Sequence, residues 1–225
     1  MEETAPQSWE EVRRWRKATR AELIERRLAL PAGGKELAAR VCENLRAAEV
    51  PELSHGLIGF YWPFKREVDL RSLVRDCLAG GAAAALPVVV EKAAPLEFWS
   101  WSPRMKMASG VWDIPIPATR APVHPDVVLV ALLGFDRAGY RLGYGGGYYD
   151  RTLAALSPRP LTLGIGFDAG RLETIHPQPH DIPLDAIVTE RGITWHRSRG
   201  RPLTDEAATG YASPPCFLHE LDPPG

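Results

Sequence analysis

The sequence predicts an α/β fold, a single domain of three layers (α/β/α) built on a mostly parallel sheet. Its 225 residues, 45% of them hydrophobic, are enough to bury one sizeable core. Short apolar runs at 57–62, 82–90, 127–133 and 161–167 alternate with stretches of helical period, the order of βαβ units. The run 127–133 is unbroken, as a buried strand's is.

Taken in order, residues 1–8 read as a lead-in. From Trp9 to Leu30 the pattern is helical, with Val12, Trp15, Thr19, Leu23 and Leu30 on one face. Arg16 and Arg20, four apart, make a second stripe with Lys17 beside them. That stripe is either a solvated basic face or an anion site. Lys35 to Ala48 forms a second helix on Leu37, Val41 and Leu45, and it stops before Pro51. The run 57–62 is the first strand, and 63–67 is a loop. Asp69 caps a helix to about Ala79 that turns Leu70, Leu73, Val74 and Leu78 inward. A second strand at 82–90 completes a right-handed parallel unit, and 95–101 is an edge strand. Glu67 lies at the carboxyl end of a strand, where such sheets bind ligands. Residues 102–125 are proline-rich and extended, with Trp112 either a core plug or an exposed stacking platform. A strand at 127–133, a glycine loop and a helix at 148–156 follow, then strands at 161–167 and 186–189. The domain spans 9–196, and 197–225, rich in Arg, Pro, Gly and Ala, is a loosely attached tail.

Composition narrows the function. With 27 basic against 28 acidic residues there is no cationic surplus for nucleic acid or a membrane surface. Only five of the basic residues are lysine, so 22 are arginine, a bias that suits bidentate anion contacts or reflects a GC-rich genome. Cys42, Cys77 and Cys216 show no metal-ligand spacing, and the first two fall on apolar helix faces as reduced core residues. No signal-peptide pattern or membrane-length apolar run is found, so a soluble, cytoplasmic protein is expected.

Chemistry concentrates in residues 134–151. A buried strand, a loop with Gly143, Gly145, Gly146 and Gly147, and then a helix start present backbone N–H groups to an anion. Arg141 and Arg151 flank the loop, and Asp150 stands where a carboxylate could hold a metal. The loop lacks the Gly-Lys-Ser/Thr of a Walker loop and the spacing of a dinucleotide loop. A flexible surface turn is the plain alternative, but Tyr140, Tyr144, Tyr148 and Tyr149 interleave with the glycines as linkers seldom allow. His176 and His180 are four apart, yet Pro177 and Pro179 forbid a helical zinc pair. His180 fixes a loop, and Asp181 is a metal ligand or a turn residue.

With the preceding Gly134-Phe-Asp-x-x-Gly, the stretch from Arg141 to Arg151 resembles the 5-formyltetrahydrofolate cyclo-ligase family, also called 5,10-methenyltetrahydrofolate synthetases. The basic N-terminal helix, residues 61–69, residues 112–117 and residues 179–190 fall in the family's order, so the resemblance covers about 12–195. It implies conversion of 5-formyltetrahydrofolate and Mg·ATP to 5,10-methenyltetrahydrofolate, ADP and phosphate. The formyl oxygen would take the γ-phosphate, and N10 would then close the ring. The resemblance also implies ATP contacts from Arg16, Lys17, Arg20, Arg141, Gly143, Gly145, Gly146, Gly147, Tyr148 and Tyr149. It puts Trp62, Glu67, Trp112, Tyr144 and Tyr148 against the folate and Mg²⁺ on Asp150 and Asp181. Arg141, Tyr148 and Asp150 would act nearest the reacting atoms, in a monomer whose partners are the two substrates. Arg16 stands where the family often has lysine, Gly146 where some members have lysine, and Ile116 where Glu or Gln is frequent. A folate- or nucleotide-binding relative with altered turnover is the alternative.

Overall fold

Helix α1 (Trp9–Leu28) opens with a capping box: Ser8 Oγ accepts from the Glu11 N–H, and the Glu11 carboxylate accepts from the Ser8 N–H. The structure, a computed structural model, describes residues 8–196. After α1 come α2 (Lys35–Ala47), the one-turn α3 (Pro51–His55), β1 (Leu57–Gly59), α4 (Arg71–Ala79), β2 (Ala83–Val88) and β3 (Glu97–Trp101). The proline-rich stretch forms β4 (Met107–Ser109), β5 (Pro115–Pro117) and β6 (Pro122–Val123). Then follow β7 (Val127–Ala131), β8 (Gly134–Phe135), β9 (Arg141–Leu142), α5 (Tyr148–Ala155), β10 (Leu161–Ile165), β11 (Ala186–Thr189) and β12 (Gly192–Trp195).

The main sheet has eight strands in the order β12-β11-β10-β7-β1-β2-β3-β6. Its five central strands, β2 through β11, pair in parallel, and the outer pairings are antiparallel. The chain winds from β1 outward to β2 and then returns to β7 on the other side of β1. That reversal leaves a crevice at the carboxyl ends of β1 and β7, the place where open α/β sheets take ligands.

Period-2 alternation assigns the two faces. Val127 and Leu129 join Leu163, Ile165, Val41 and Leu45 of α2, and Leu73 and Val74 of α4 in the larger core. Val128 and Val130 face the other way, onto Phe98, Phe135, Ile187 and Leu153 of α5. Both faces are therefore covered, as parallel strands require, and the three layers are those expected. No described helix is long and apolar enough to cross a membrane.

Several expectations are corrected. The stretch 95–101 is not an edge strand, because β6 pairs outside β3, with Phe98 opposite Val123. The first strand ends at Gly59, where the chain turns to line the crevice. The hairpins β4–β5 and β8–β9 are too short to leave a periodic trace, and β12 was not anticipated. Helix α1 differs most: its buried residues are Val12, Arg16, Thr19, Leu23 and Arg27, while Trp15 is half-buried and Leu30 lies beyond the C-cap. The helix does not lie on the sheet. It crosses the sheet's carboxyl-end loops, whose carbonyls and carboxylates need donors, so its inner face carries arginines. Cys42 and Cys77 are free thiols, half-buried and packed against the larger core. Cys216 and the 197–225 tail lie outside the described residues.

Candidate active site

The crevice widens into a cavity of about 410 Å³. Its walls come from α1, the loop after β1, the end of β2, the β4–β5 hairpin and the glycine loop. The site residues expected from sequence converge here. Arg16, Lys17 and Arg20 enter from α1, Trp62 and Glu67 from the loop after β1, and Trp112 from the turn before β5. Arg141, Gly143, Tyr144, Gly145, Gly146, Gly147, Tyr148, Tyr149 and Asp150 line the opposite side, with Asp181 beside them.

The glycine loop joins β9 to α5. Gly147 is the N-cap of α5 in the left-handed conformation, and no side chain caps the helix. The first-turn N–H groups and the positive end of the helix dipole are thus left for an anion. Gly145 has φ +89° and packs so that a Cβ would lie 3.2 Å from Arg20 Cζ. Arg20 Nε donates to the Gly143 carbonyl at 2.9 Å, which fixes the loop against α1. Arg151 flanks the loop from behind: it is 3% exposed, donates to the Gly146 carbonyl and lies over the Tyr148 ring. It supports the loop and lines no part of the cavity.

Two carboxylates sit near the loop, each held by an arginine. Asp150 Oδ1 lies 2.9 Å from Arg141 Nη2 and accepts from the Ile182 N–H at 3.0 Å. Arg141 Nη1 donates to the Ile182 carbonyl at 2.7 Å, so the pair holds the backbone of one residue by both its N–H and its C=O. Asp181 accepts from Arg16 Nη2 at 2.5 Å and from the Gln178 N–H at 2.7 Å. Arg16 also donates to the Ile175 and His176 carbonyls, both at 3.0 Å. Its charge is buried, so the solvated-face alternative fails for Arg16. Among the described residues no cluster of three or more His, Cys, Asp and Glu could hold a metal. Asp150 and Asp181 are a two-carboxylate set, which suits an ion that takes its remaining oxygens from phosphates and water.

At the other end Glu67 is buried, its side chain 5% exposed. Glu67 Oε2 accepts from the Phe64 N–H at 2.9 Å, and Oε1 accepts from the Tyr144 hydroxyl at 3.0 Å. Burial pushes its carboxyl above the usual range, opposed by Arg27, the Phe64 N–H and Tyr144. Burial likewise raises the Tyr144 and Tyr149 phenols, which therefore stay protonated. Above Glu67, Phe64 and Trp112 are near-parallel, 5.9 Å apart at 12°, and Tyr144 meets both edge-on. Trp112 holds φ +57°, a strained conformation for a bulky residue. Half-buried and lining the cavity, it is a platform and not a core plug.

Five cations line the cavity, Arg13, Arg16, Lys17, Arg20 and Arg141, against the carboxylates of Glu67, Asp150 and Asp181. The surplus is positive, and Arg20 and Arg141 lie directly at the glycine loop. Sequence reasoning did not single out Arg13, Phe64 or Arg27. Nor did it place His180 in the cavity wall, where its ring meets Trp9 edge-on at 5.7 Å. Ile116 lines the wall as an apolar contact.

Comparison with known proteins gives a consistent result. The family model described as 5-formyltetrahydrofolate cyclo-ligase matches residues 12–190. The chain is 30% identical over 183 residues to a 5-formyltetrahydrofolate cyclo-ligase of Mycolicibacterium smegmatis, covering 77% of this chain and 93% of that protein. An Escherichia coli protein of the same name is 28% identical over 175 residues, 73% of this chain and 93% of its own. Among solved structures, the 5,10-methenyltetrahydrofolate synthetase of Aquifex aeolicus superposes with a TM-score of 0.70 at 29% identity, covering 85% of this chain and 97% of that one. The corresponding synthetase of Mycoplasma pneumoniae gives 0.63 at 25% identity, covering 78% and 98%.

Proposed function

We infer that this chain, which belongs to the 5-formyltetrahydrofolate cyclo-ligase family, uses Mg·ATP to convert 5-formyltetrahydrofolate to 5,10-methenyltetrahydrofolate, ADP and phosphate. The observation that carries this reading is one cavity with two unlike ends. A cation-rich glycine loop at an uncapped helix N-terminus faces a buried carboxylate under an aromatic box. The first suits a triphosphate and the second a flat heterocycle with adjacent N–H donors.

Glu67 supports the pterin end by its hydrogen-bond arithmetic. A carboxylate offers about four lone-pair sites, and here the Phe64 N–H and the Tyr144 hydroxyl each take one, on different oxygens. The remaining acceptor on each oxygen matches the amino and ring N–H pair of a pterin. Trp112 and Trp62 would wall the ring.

In the reaction the formyl oxygen attacks the γ-phosphorus, the bond to the β-phosphate oxygen breaks and ADP leaves. N10 then attacks the formyl carbon, gives up its proton, and phosphate departs with the former formyl oxygen. These steps need alignment and charge neutralisation more than a protein nucleophile. Arg16, Lys17, Arg20 and Arg141 would neutralise the triphosphate, and the loop backbone from 143 to 147 with Tyr148 and Tyr149 would wrap it. Tyr144 and Tyr148 would touch both substrates where they meet. Asp150 and Asp181 would hold Mg²⁺, which would supply charge neutralisation to the phosphates when bound. The residues assigned to the two substrates all lie within one chain, and the reading includes a monomer. The free thiols of Cys42 and Cys77 suit the reducing cytoplasm.

The test is direct. Purified protein given 5-formyltetrahydrofolate and Mg·ATP should develop the near-ultraviolet absorbance of the methenyl product. Absence of that rise at every pH and Mg²⁺ concentration rejects turnover, and tight folate binding in the same sample would then favour a binding-only relative.

A further inference from the structure

We propose that Arg27 is a positioning residue for folate recognition: it fixes the charge and orientation of Glu67, and through Tyr144 it ties the folate end of the cavity to the glycine loop. This rests on the reading of Glu67 as the pterin acceptor. Arg27 lies in the last turn of α1 and does not line the cavity, yet it is 6% exposed. Its Nη2 donates to the Tyr144 hydroxyl at 2.5 Å, its Nη1 lies 3.9 Å from Glu67 Oε1, and its Nε has no hydrogen-bond partner. The Tyr144 hydroxyl passes the interaction on by donating to Glu67 Oε1. Arg66 donates to the Leu28 carbonyl, so the Glu67 loop is also tied to the end of α1. A buried guanidinium whose Nε has no acceptor is costly in a surface role. It is explicable as the counter-charge of a carboxylate that must stay ionised and unmoved.

The groups facing Glu67 are few. Arg27 comes from α1, Tyr144 from the glycine loop, Tyr61 from the end of β1 and Tyr149 from α5. Arg27 is the one cation among them, since the other three are protonated phenols. Burial drives the Glu67 carboxyl up, and the Arg27 charge is the foremost opposing influence. Ionised Glu67 accepts from a pterin, and protonated Glu67 does not, so folate affinity falls as pH drops through its titration. Loss of Arg27 lifts that titration and moves the acid limb of binding to higher pH.

The experiment measures the dissociation constant of 5-formyltetrahydrofolate from pH 5 to 9 by quenching of tryptophan fluorescence. Wild type is compared with Arg27→Met, Arg27→Gln and Arg27→Lys. The ligand's own titration is common to all four. Met and Gln should shift the acid limb upward by about one pH unit, which on the acid side of both limbs is about a tenfold weaker binding. Gln keeps a donor toward Tyr144 and so guards against simple unfolding, and Lys should return the limb to its wild-type position. A limb that stays in place for Met and Gln, or moves equally for Lys, overturns the role of Arg27 while leaving the functional reading intact. A wild type that binds no folate overturns both.

Discussion

Replacing one glycine of the loop tests whether these residues serve the fold, the ligand or both. Gly145→Ala places a methyl group on a backbone with φ +89° and 3.2 Å from Arg20 Cζ. A left-handed conformation costs an L-residue about 1–2 kcal/mol. The contact adds less, because a guanidinium can swing away, but moving it stretches the 2.9 Å bond from Arg20 Nε to the Gly143 carbonyl. For a chain of this size, each kcal/mol lowers Tm by about 2–4 °C, so the expected fall is about 2–8 °C. Gly143 is the internal control: no atom lies within 4 Å of the Cβ it would carry, and Gly143→Ala should leave Tm unchanged. Gly143 lines the cavity, so its methyl should be felt only when a triphosphate closes on the backbone, as a raised KM for ATP with a smaller effect on the folate KM. Thermal melts and initial rates on both variants suffice. An unaltered Tm for Gly145→Ala, or an equal fall for both, refutes the reasoning.

Other outcomes follow from the same geometry. Asp150→Asn should lower kcat at least about a hundredfold and demand more Mg²⁺, with folate affinity nearly kept; equal loss of both would make Asp150 structural. Arg16→Ala leaves the buried Asp181 carboxylate without its cation and should cost about 3–5 kcal/mol, read by urea unfolding at neutral pH. A change under 1 kcal/mol would mean that solvent already screens the pair. Glu67→Gln should weaken folate binding about tenfold or more at neutral pH and abolish the acid limb, because the carboxyl whose titration is raised by burial is gone. Persistence of that limb would assign it to another group.

Much of the fold was legible because apolar runs are local signals. The strands at 127–131 and 186–189 and the inward faces of α2 and α4 depend on burial alone, and burial writes itself as hydrophobic period. The glycine loop was legible for a related reason, since backbone that must approach a ligand has to shed side chains. Helix α1 was only half legible. Arg16 and Arg27 are buried, but an arginine gives no local sign of whether water or a carboxylate distant in sequence will meet it. The pairing of Arg27 with Glu67 and Tyr144 exists only once α1 crosses the sheet's carboxyl ends. The two-residue strands β6, β8 and β9 were silent because no period can be read from two positions. The left-handed turn at Trp112 opposes the residue's own preference, so propensity pointed away from it.

Three arginines of α1 hold different residues that line the cavity: Arg16 the Asp181 loop, Arg20 the Gly143 carbonyl, and Arg27 the Glu67 and Tyr144 pair. Eleven residues separate the first from the last, close to three helical turns and roughly 16 Å of rise. Helix α1 is therefore a ruler laid along the cavity, and its pitch sets the span between the Asp181 loop and the Glu67 loop. Loops can lengthen by one residue at little cost, but a ruler of this kind changes only by whole turns. A single alanine inserted between Arg20 and Arg27 would rotate Arg27 by about 100° away from Glu67 while Arg16 and Arg20 kept their partners. The distance between the Asp181 loop and the Glu67 loop is in this sense a property of covalent geometry.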